Sequence, residues 1–494
     1  MTAGVLCGAC LRFTSFSCSD DAACNAHDGG VCAADGRCAY PDAACPGGLR
    51  YDELADPDVA GECVVGDTGS SSGVASSATT VTTLDTTADT GPQDSSGPAT
   101  GDESSSGGGP SCGGAGEACC ASGPACGEGL ECMGSACGCV RQIEAGDRHT
   151  CAVLVDGSVQ CWGANDVGQL GGSAAPFETT PIEALAVRPT DPIRQISATT
   201  HTCVRSEQGN VRCFGANDSG QVDPALLQPI APATPAAIVS ADGIGTGASH
   251  TCATDGLSLS CWGANGQNQL TGGAAGPGPV SFGTGPVAQL ETGGAFGCIV
   301  QGGALSCWGA NDFGQLATDP ALTPTIATPT SMPIADVADV ALGRTHTCAL
   351  THAGAIGCWG RNNLGQLGDG SGVEQITPVA VAWPPEAGTP TAIASGDQHT
   401  CAIDDAAALW CWGSNLGGQL MLEPDMGGND MFTLTPVAID VGAGVLAVSG
   451  GRDHTCVRTD AGEVLCWGTN TEGQIGDGTT NYAFDPQAVM VGCP

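Results

Sequence analysis

The chain has no lysine: all 13 of its basic residues are arginine, set against 52 acidic residues among 494, for a formal charge of −39. The deficit is spread along the chain, with 19 acidic and 3 basic residues in positions 1–139 and 33 and 10 in positions 140–494. Such a field repels phosphate backbones and anionic lipid surfaces, so nucleic acid is not expected as a partner. There is no run of 18 or more apolar residues, so no membrane-spanning helix is expected. Met1–Leu6 is too short and too uncharged for a secretory signal, and any export signal or lipid anchor is expected upstream. Helix-forming runs are scarce, whereas glycine (78) and proline (30) abound, which reads as all-β with many turns. No Gly-rich phosphate loop, HExxH pair or nucleophile elbow occurs, so no cofactor, metal or catalytic residue is assigned.

What the chain has in excess is cysteine, 30 in all. Regular pairs in that number suit an oxidising, extracellular or outer-surface location. Residues 1–65 hold eight cysteines between short Asp/Gly/Ala turns and read as a disulfide-framed module. Residues 66–111 hold none and are dominated by Ser, Thr, Gly and Asp, a composition that buries too little apolar surface to fold and reads as a flexible linker. Residues 112–139 hold seven more, including the vicinal pair Cys119–Cys120, and read as a small knotted module.

From residue 140 to the end nearly the same phrase recurs seven times: His-Thr-Cys (Phe296-Gly297-Cys298 in the fourth unit), a short turn, Cys-Trp-Gly (Cys213-Phe214-Gly215 in the second), then Gly-Gln-Leu or a close variant. The second cysteines, Cys161, Cys213, Cys261, Cys307, Cys358, Cys411 and Cys466, lie 46 to 55 residues apart. That period with strand-like contents is the signature of a β-propeller with one blade per repeat. In the first unit His149–Leu154 alternates as a strand, Asp156-Gly157 makes a tight turn, and Ser158–Trp162 returns antiparallel. The cysteines then lie across the ladder at disulfide distance. The expected staples are Cys151–Cys161, Cys203–Cys213, Cys252–Cys261, Cys298–Cys307, Cys348–Cys358, Cys401–Cys411 and Cys456–Cys466. Seven cysteines in the knotted module and a lone Cys493 complete each other's odd counts, so Cys493 is expected to bridge Cys139 or Cys137. The terminal strand Asp485–Val491 is expected to complete the first blade and so close the ring.

The pattern His-Thr-Cys-Ala…Cys-Trp-Gly-x-Asn-x-x-Gly-Gln-Leu-Gly resembles the repeat of the regulator of chromosome condensation family over residues 140–494. The resemblance implies a seven-bladed propeller with four-stranded blades. It also implies, for the family's eukaryotic founder, nucleotide exchange on a small nuclear GTPase and docking on chromatin. This chain departs from that pattern in its paired cysteines, flanking modules and acidic body, and it carries no exchange-loop motif. The secreted bacterial branch, which includes a propeller that inhibits β-lactamase by protein contact, is the nearer analogy.

The expected function is therefore a monomeric, secreted or surface-held scaffold that binds a protein or extracellular polymer without catalysis. The alternatives are an exchange factor like the founder and a hydrolase or lyase acting from the propeller mouth. The repeated histidines, tryptophans and glutamines are expected to pack blades and satisfy turns. Breaks in the repeat supply the candidate contact residues. One is the loop Met421–Phe432, with Met421, Met426, Met431 and Phe432, since methionines adapt to varied apolar surfaces. The other is Trp383, since exposed tryptophans anchor interfaces.

Overall fold

The computed structural model describes residues 136–494 apart from 186–189, 227, 236–239, 271–279, 282–285, 423–430 and 494, together with short strands before residue 136. The expectations for the first module, the linker and most of the knotted module lie outside the described residues. Of the chain before residue 104, three strands, Val31–Cys32, Cys38–Pro41 and Leu49–Tyr51, form a small antiparallel sheet. In the second compact unit, Glu131–Met133 pairs with Ala136–Gly138 ahead of the repeats.

Each repeat folds as a four-stranded antiparallel blade whose strands follow chain order. The first blade is Val140–Ala145, His149–Leu154, Val159–Ala164 and Phe177–Leu185, and six more follow on the same plan. All seven innermost strands line one central channel. The His-Thr-Cys strands are buried along nearly their whole length because each face of a blade packs against a neighbouring blade. The outermost strands are half exposed, which explains their proline: Thr180-Pro181, Thr377-Pro378 and Thr435-Pro436 sit on a sheet edge, where the missing N–H costs nothing.

The cysteines of each repeat face one another across the second and third strands, with Cα atoms 4.1 Å apart in every blade. In the first blade the bonds Ala164 N–Arg148 O and Leu154 N–Ser158 O put Cys151 and Cys161 at a non-hydrogen-bonded site. There opposed side chains come closest. The glycine of Cys-Trp-Gly holds a positive φ (103° at Gly163) where the third strand bulges away from the fourth. A Cβ there would lie 2.6 Å from His149 Cα, so only glycine fits.

The expected closure by strand exchange is overturned. The last strand, Ala483–Ala488, pairs with Val464–Gly468 of the seventh blade (Leu465 opposite Ala488), and the first blade has its own outer strand. The Thr-Pro-type strand finishes the repeat it follows and does not begin the next, so seven repeats make seven whole blades. The Cys139–Cys493 disulfide joins the two ends of the ring. Gln160 adds a hydrogen bond to Gly492 O at 2.7 Å.

Candidate functional site: a loop-bearing face over a polar channel

Chain direction sorts the loops. The connections from first to second strand and from third to fourth emerge at one end of the propeller, and the hairpins and blade-to-blade connections at the other. Arg148, in a first-to-second-strand loop, bonds Asp166 and Glu472, both in third-to-fourth-strand loops at the same end, at 2.8 and 2.7 Å. The long Asn-x-x-Gly-Gln-Leu loops there are held from within. In every blade the repeated asparagine oxygen accepts the backbone N–H five residues on, as Asn165 does from Leu170. The repeated glutamine oxygen accepts the N–H two residues back, as Gln169 does from Val167.

That rigid framework presents apolar side chains to solvent. Of the twelve large exposed hydrophobic residues among those described, nine lie at the loop-bearing end. Blades five to seven carry Val373, Ile376, Leu416, Met431, Phe432 and Tyr482, and Phe177, Leu226 and Leu322 continue the series around the rim. Asn415 N bonds Met431 O at 2.7 Å, which brings Leu416 beside Met431 and Phe432.

Of the sequence candidates, Met431 and Phe432 are exposed (44% and 38%) on this face. Met421 is half-buried against the core of the sixth and seventh blades, and Met426 lies outside the described residues. Trp383 falls at the opposite end, beyond the fourth strand of blade five. It is half-buried, 5.9 Å from the Trp410 ring, with its Nε1 donating to Gly388 O. The two candidate patches are thus not brought together.

The channel beneath the face is a cavity of about 290 Å³ lined by the inner strands. Residues paired with the first cysteine of each blade include Glu144, Ser197, Glu291 and Ser449; two positions earlier stand Gln142, Gln195, Gln289 and Asp339. Three of these glutamines clamp neighbouring blades. Gln142 gives its Nε2–H to Ile196 O and takes Ile196 N–H on Oε1 (2.9 and 3.1 Å), and Gln195 and Gln289 repeat this on Ile244 and Val340. Glu144 has its pKa pushed up to about 8 by burial and by repulsion from Glu291; Glu291 rises to about 7, mainly through burial. At the mouth, burial and then repulsion from Asp397 raise Asp147 to about 6 against the pull of Arg344 and Arg452. The channel residues were not singled out from the sequence. Aligning the repeats on their first cysteine would have shown Glu144 and Glu291 at one position.

Histidine and tryptophan pack the blades. His149 Nε2 meets Thr202 Oγ1 of the next blade at 2.7 Å, while that hydroxyl donates to Gln169 O. The histidine therefore carries its proton on Nε2. The pattern recurs from His201, His346, His399 and His454. Burial depresses all of these rings, His149 to about 3. Among the described residues no group of three or more His, Cys, Asp or Glu is arranged to hold a metal ion.

Family models described as the regulator of chromosome condensation (RCC1) repeat match residues 140–169, 199–221, 337–366, 391–419 and 445–474, and also 303–350 and 354–403. The human E3 ubiquitin-protein ligase HERC2 is 31% identical over 158 residues, 31% of this chain and 3% of that protein. The human probable E3 ubiquitin-protein ligase HERC4 is 30% identical over 155 residues, 31% of this chain and 14% of that protein. The chain thus spans a small fraction of these curated relatives. Among solved structures, human WBSCR16 matches with TM-score 0.57 and 21% identity over 65% of this chain and 87% of that one. Prp20p from Saccharomyces cerevisiae matches with TM-score 0.45 and 20% identity over 71% and 76%. At 21% identity the WBSCR16 match speaks for the fold alone.

Proposed function

The chain carries regulator of chromosome condensation repeats folded as a seven-bladed propeller, and from that premise we propose that it is a non-catalytic scaffold of an oxidising compartment outside the cytosol. It binds a protein partner through the loop-bearing face. The observation that carries this reading is the gathering, among the described residues, of nine of twelve exposed large apolar side chains on one end of a disulfide-stapled ring. Apolar anchors on rigid loops, set in a polar surround, are what a protein interface uses for most of its binding energy. The excess negative charge favours a partner with a basic surface.

The test takes a partner captured by the full chain from the exterior of producing cells and identified by cross-linking. Leu416→Asp with Phe432→Asp should weaken its binding at least about 10-fold, the loss of two anchors. Leu257→Asp, at a 65% exposed site on the opposite end, should leave it unchanged. Equal loss from both variants would sink the assignment of the face.

A second reading rests on the channel carboxyls. A carboxyl such as that of Glu144, held protonated near neutral pH by burial and by repulsion from Glu291, is the kind of group a hydrolase or lyase uses as general acid. Turnover lost in Glu144→Gln but kept in the Leu416→Asp/Phe432→Asp variant would favour it.

A further inference from the structure

We infer that the ring is hinged at the seam between its third and fourth blades, nearly opposite the covalent clasp. Two devices join successive blades near the axis: the histidine–threonine bond and the inner-strand side-chain clamp. The first spans the seams 1–2, 2–3, 5–6, 6–7 and 7–1. The second spans 1–2, 2–3 and 4–5 through glutamine, and 5–6 through Asp339, whose carboxylate accepts Ile393 N–H at 3.0 Å. At 7–1, Ser449 Oγ accepts Ala145 N–H at 2.9 Å.

Among the described residues, only the 3–4 seam lacks both. The position that supplies threonine elsewhere is Gly297, so His250 has no partner on either ring nitrogen although it is fully buried. The positions that supply clamping side chains are Gly243 and Gly245. The apolar cluster across the seam has seven buried members among the described residues, against eight at the 2–3 seam and ten at the 1–2 and 5–6 seams. What remains is suited to a hinge: Trp308 Nε1 to Gln269 O at 2.9 Å, Ala248 N to Gly294 O at 2.9 Å and Asn268 to Thr325 at 2.7 Å. A buried, unpartnered imidazole and absent clamps both lower the free energy needed to separate adjacent blades. Because Cys139–Cys493 ties the chain ends together, opening is directed to this seam rather than to the 7–1 junction. The channel mouth beneath the binding face widens when it opens.

Hydrogen exchange of the full chain, read by mass spectrometry, tests this. The inner strands Gly243–Thr246 and Gln289–Thr292 should exchange at least about 10-fold faster than Val140–Ala145 and Ile193–Ala198 at the 1–2 seam. Equal or slower exchange would overturn the hinge. Gly243→Gln would restore the missing clamp. A Cβ there would meet Leu290 Cβ at 3.9 Å and Thr254 Cγ2 at 3.2 Å, so the threonine methyl must give by a few tenths of an ångström to admit the side chain. It should slow exchange at the seam about 5-fold relative to wild type, the worth of a restored buried hydrogen-bond pair. Gly243→Ala, which fills space without an amide, should not. Identical rates in the two variants would also overturn the hinge, and if Gly243→Gln does not fold, the wild-type comparison decides.

Discussion

At the scale of single residues, burial sets two opposing pH dependences. Six buried histidines, His149, His201, His250, His346, His399 and His454, titrate at about 3 to 4 instead of 6.5. The unfolded chain therefore binds more protons than the fold between about pH 3 and 6.5, and stability rises with pH across that window. Glu144 and Glu291 are raised to about 8 and 7, so the fold holds more protons than the unfolded chain from about pH 4.5 upward. Their contribution is complete below about pH 4.5 and is lost as pH rises through 7 to 8. Histidines dominate the overlap by number, so Tm should peak near pH 7, where the two proton balances cancel, and decline toward pH 8.5. Glu144→Gln removes an ionising group from the channel. By calorimetry it should raise Tm at pH 8.5 by roughly 2–4 °C and change little at pH 5. An unchanged alkaline limb would show that Glu144 is solvated and ionised in the channel. The histidines were legible in the sequence as packing residues because they recur in six repeats. The glutamates were not: they occupy that position in two of seven blades, and only the strand register shows that it faces the channel.

At the scale of the blade, the sequence carried nearly everything that depends on neighbours in the chain. A cysteine pair nine or ten residues apart around a turn can meet only across a hairpin, and all seven do. The frame of the repeat was less legible. Thr435-Pro436 stands between two units, and nothing local says whether its strand pairs forward or back. The structure answers with an edge strand paired to the third strand of its own blade (Cys411 opposite Val437), where proline needs no acceptor. Trp383 shows a related limit: it stands in a proline-rich break of the repeat, and nothing local announces that its indole packs on Trp410, a contact between residues 27 apart. Removing one staple tests the energetic side of the blade. Cys401→Ala with Cys411→Ala should lower unfolding free energy by about 2.5–3 kcal/mol, the loop-entropy value for a closed segment of this length. The six other staples should stay unreactive toward an alkylating reagent in the native state. A much larger loss, with labelling of the other blades, would mean that blades unfold together once a single clip is cut.

At the scale of the molecule, the closure of the ring separates two jobs that a shared blade would combine. When the first and last strands share one blade, hydrogen bonds and covalent continuity close the ring at the same place. Here each blade is complete and the 7–1 junction relies on side chains. Thr150 takes the His454 bond at 2.9 Å, Trp162 Nε1 donates to Gln474 O at 3.0 Å and Arg148 reaches Glu472 at 2.7 Å, with the disulfide outside them. The clasp is therefore not needed to form the interface, only to keep the ends near each other when it opens. Spanning 354 residues, the Cys139–Cys493 bridge is worth about 5–6 kcal/mol at most in the chain-entropy model. Cys139→Ser with Cys493→Ser should leave the native near-ultraviolet spectrum intact and lower the denaturant midpoint. It should also make the inner strands Val445–Gly450 and Val140–Ala145 exchange faster, because the ring then has a second place to open. Collapse of the first blade alone, with the seventh still protected, would contradict a junction between whole blades and favour a terminal strand that belongs to the first.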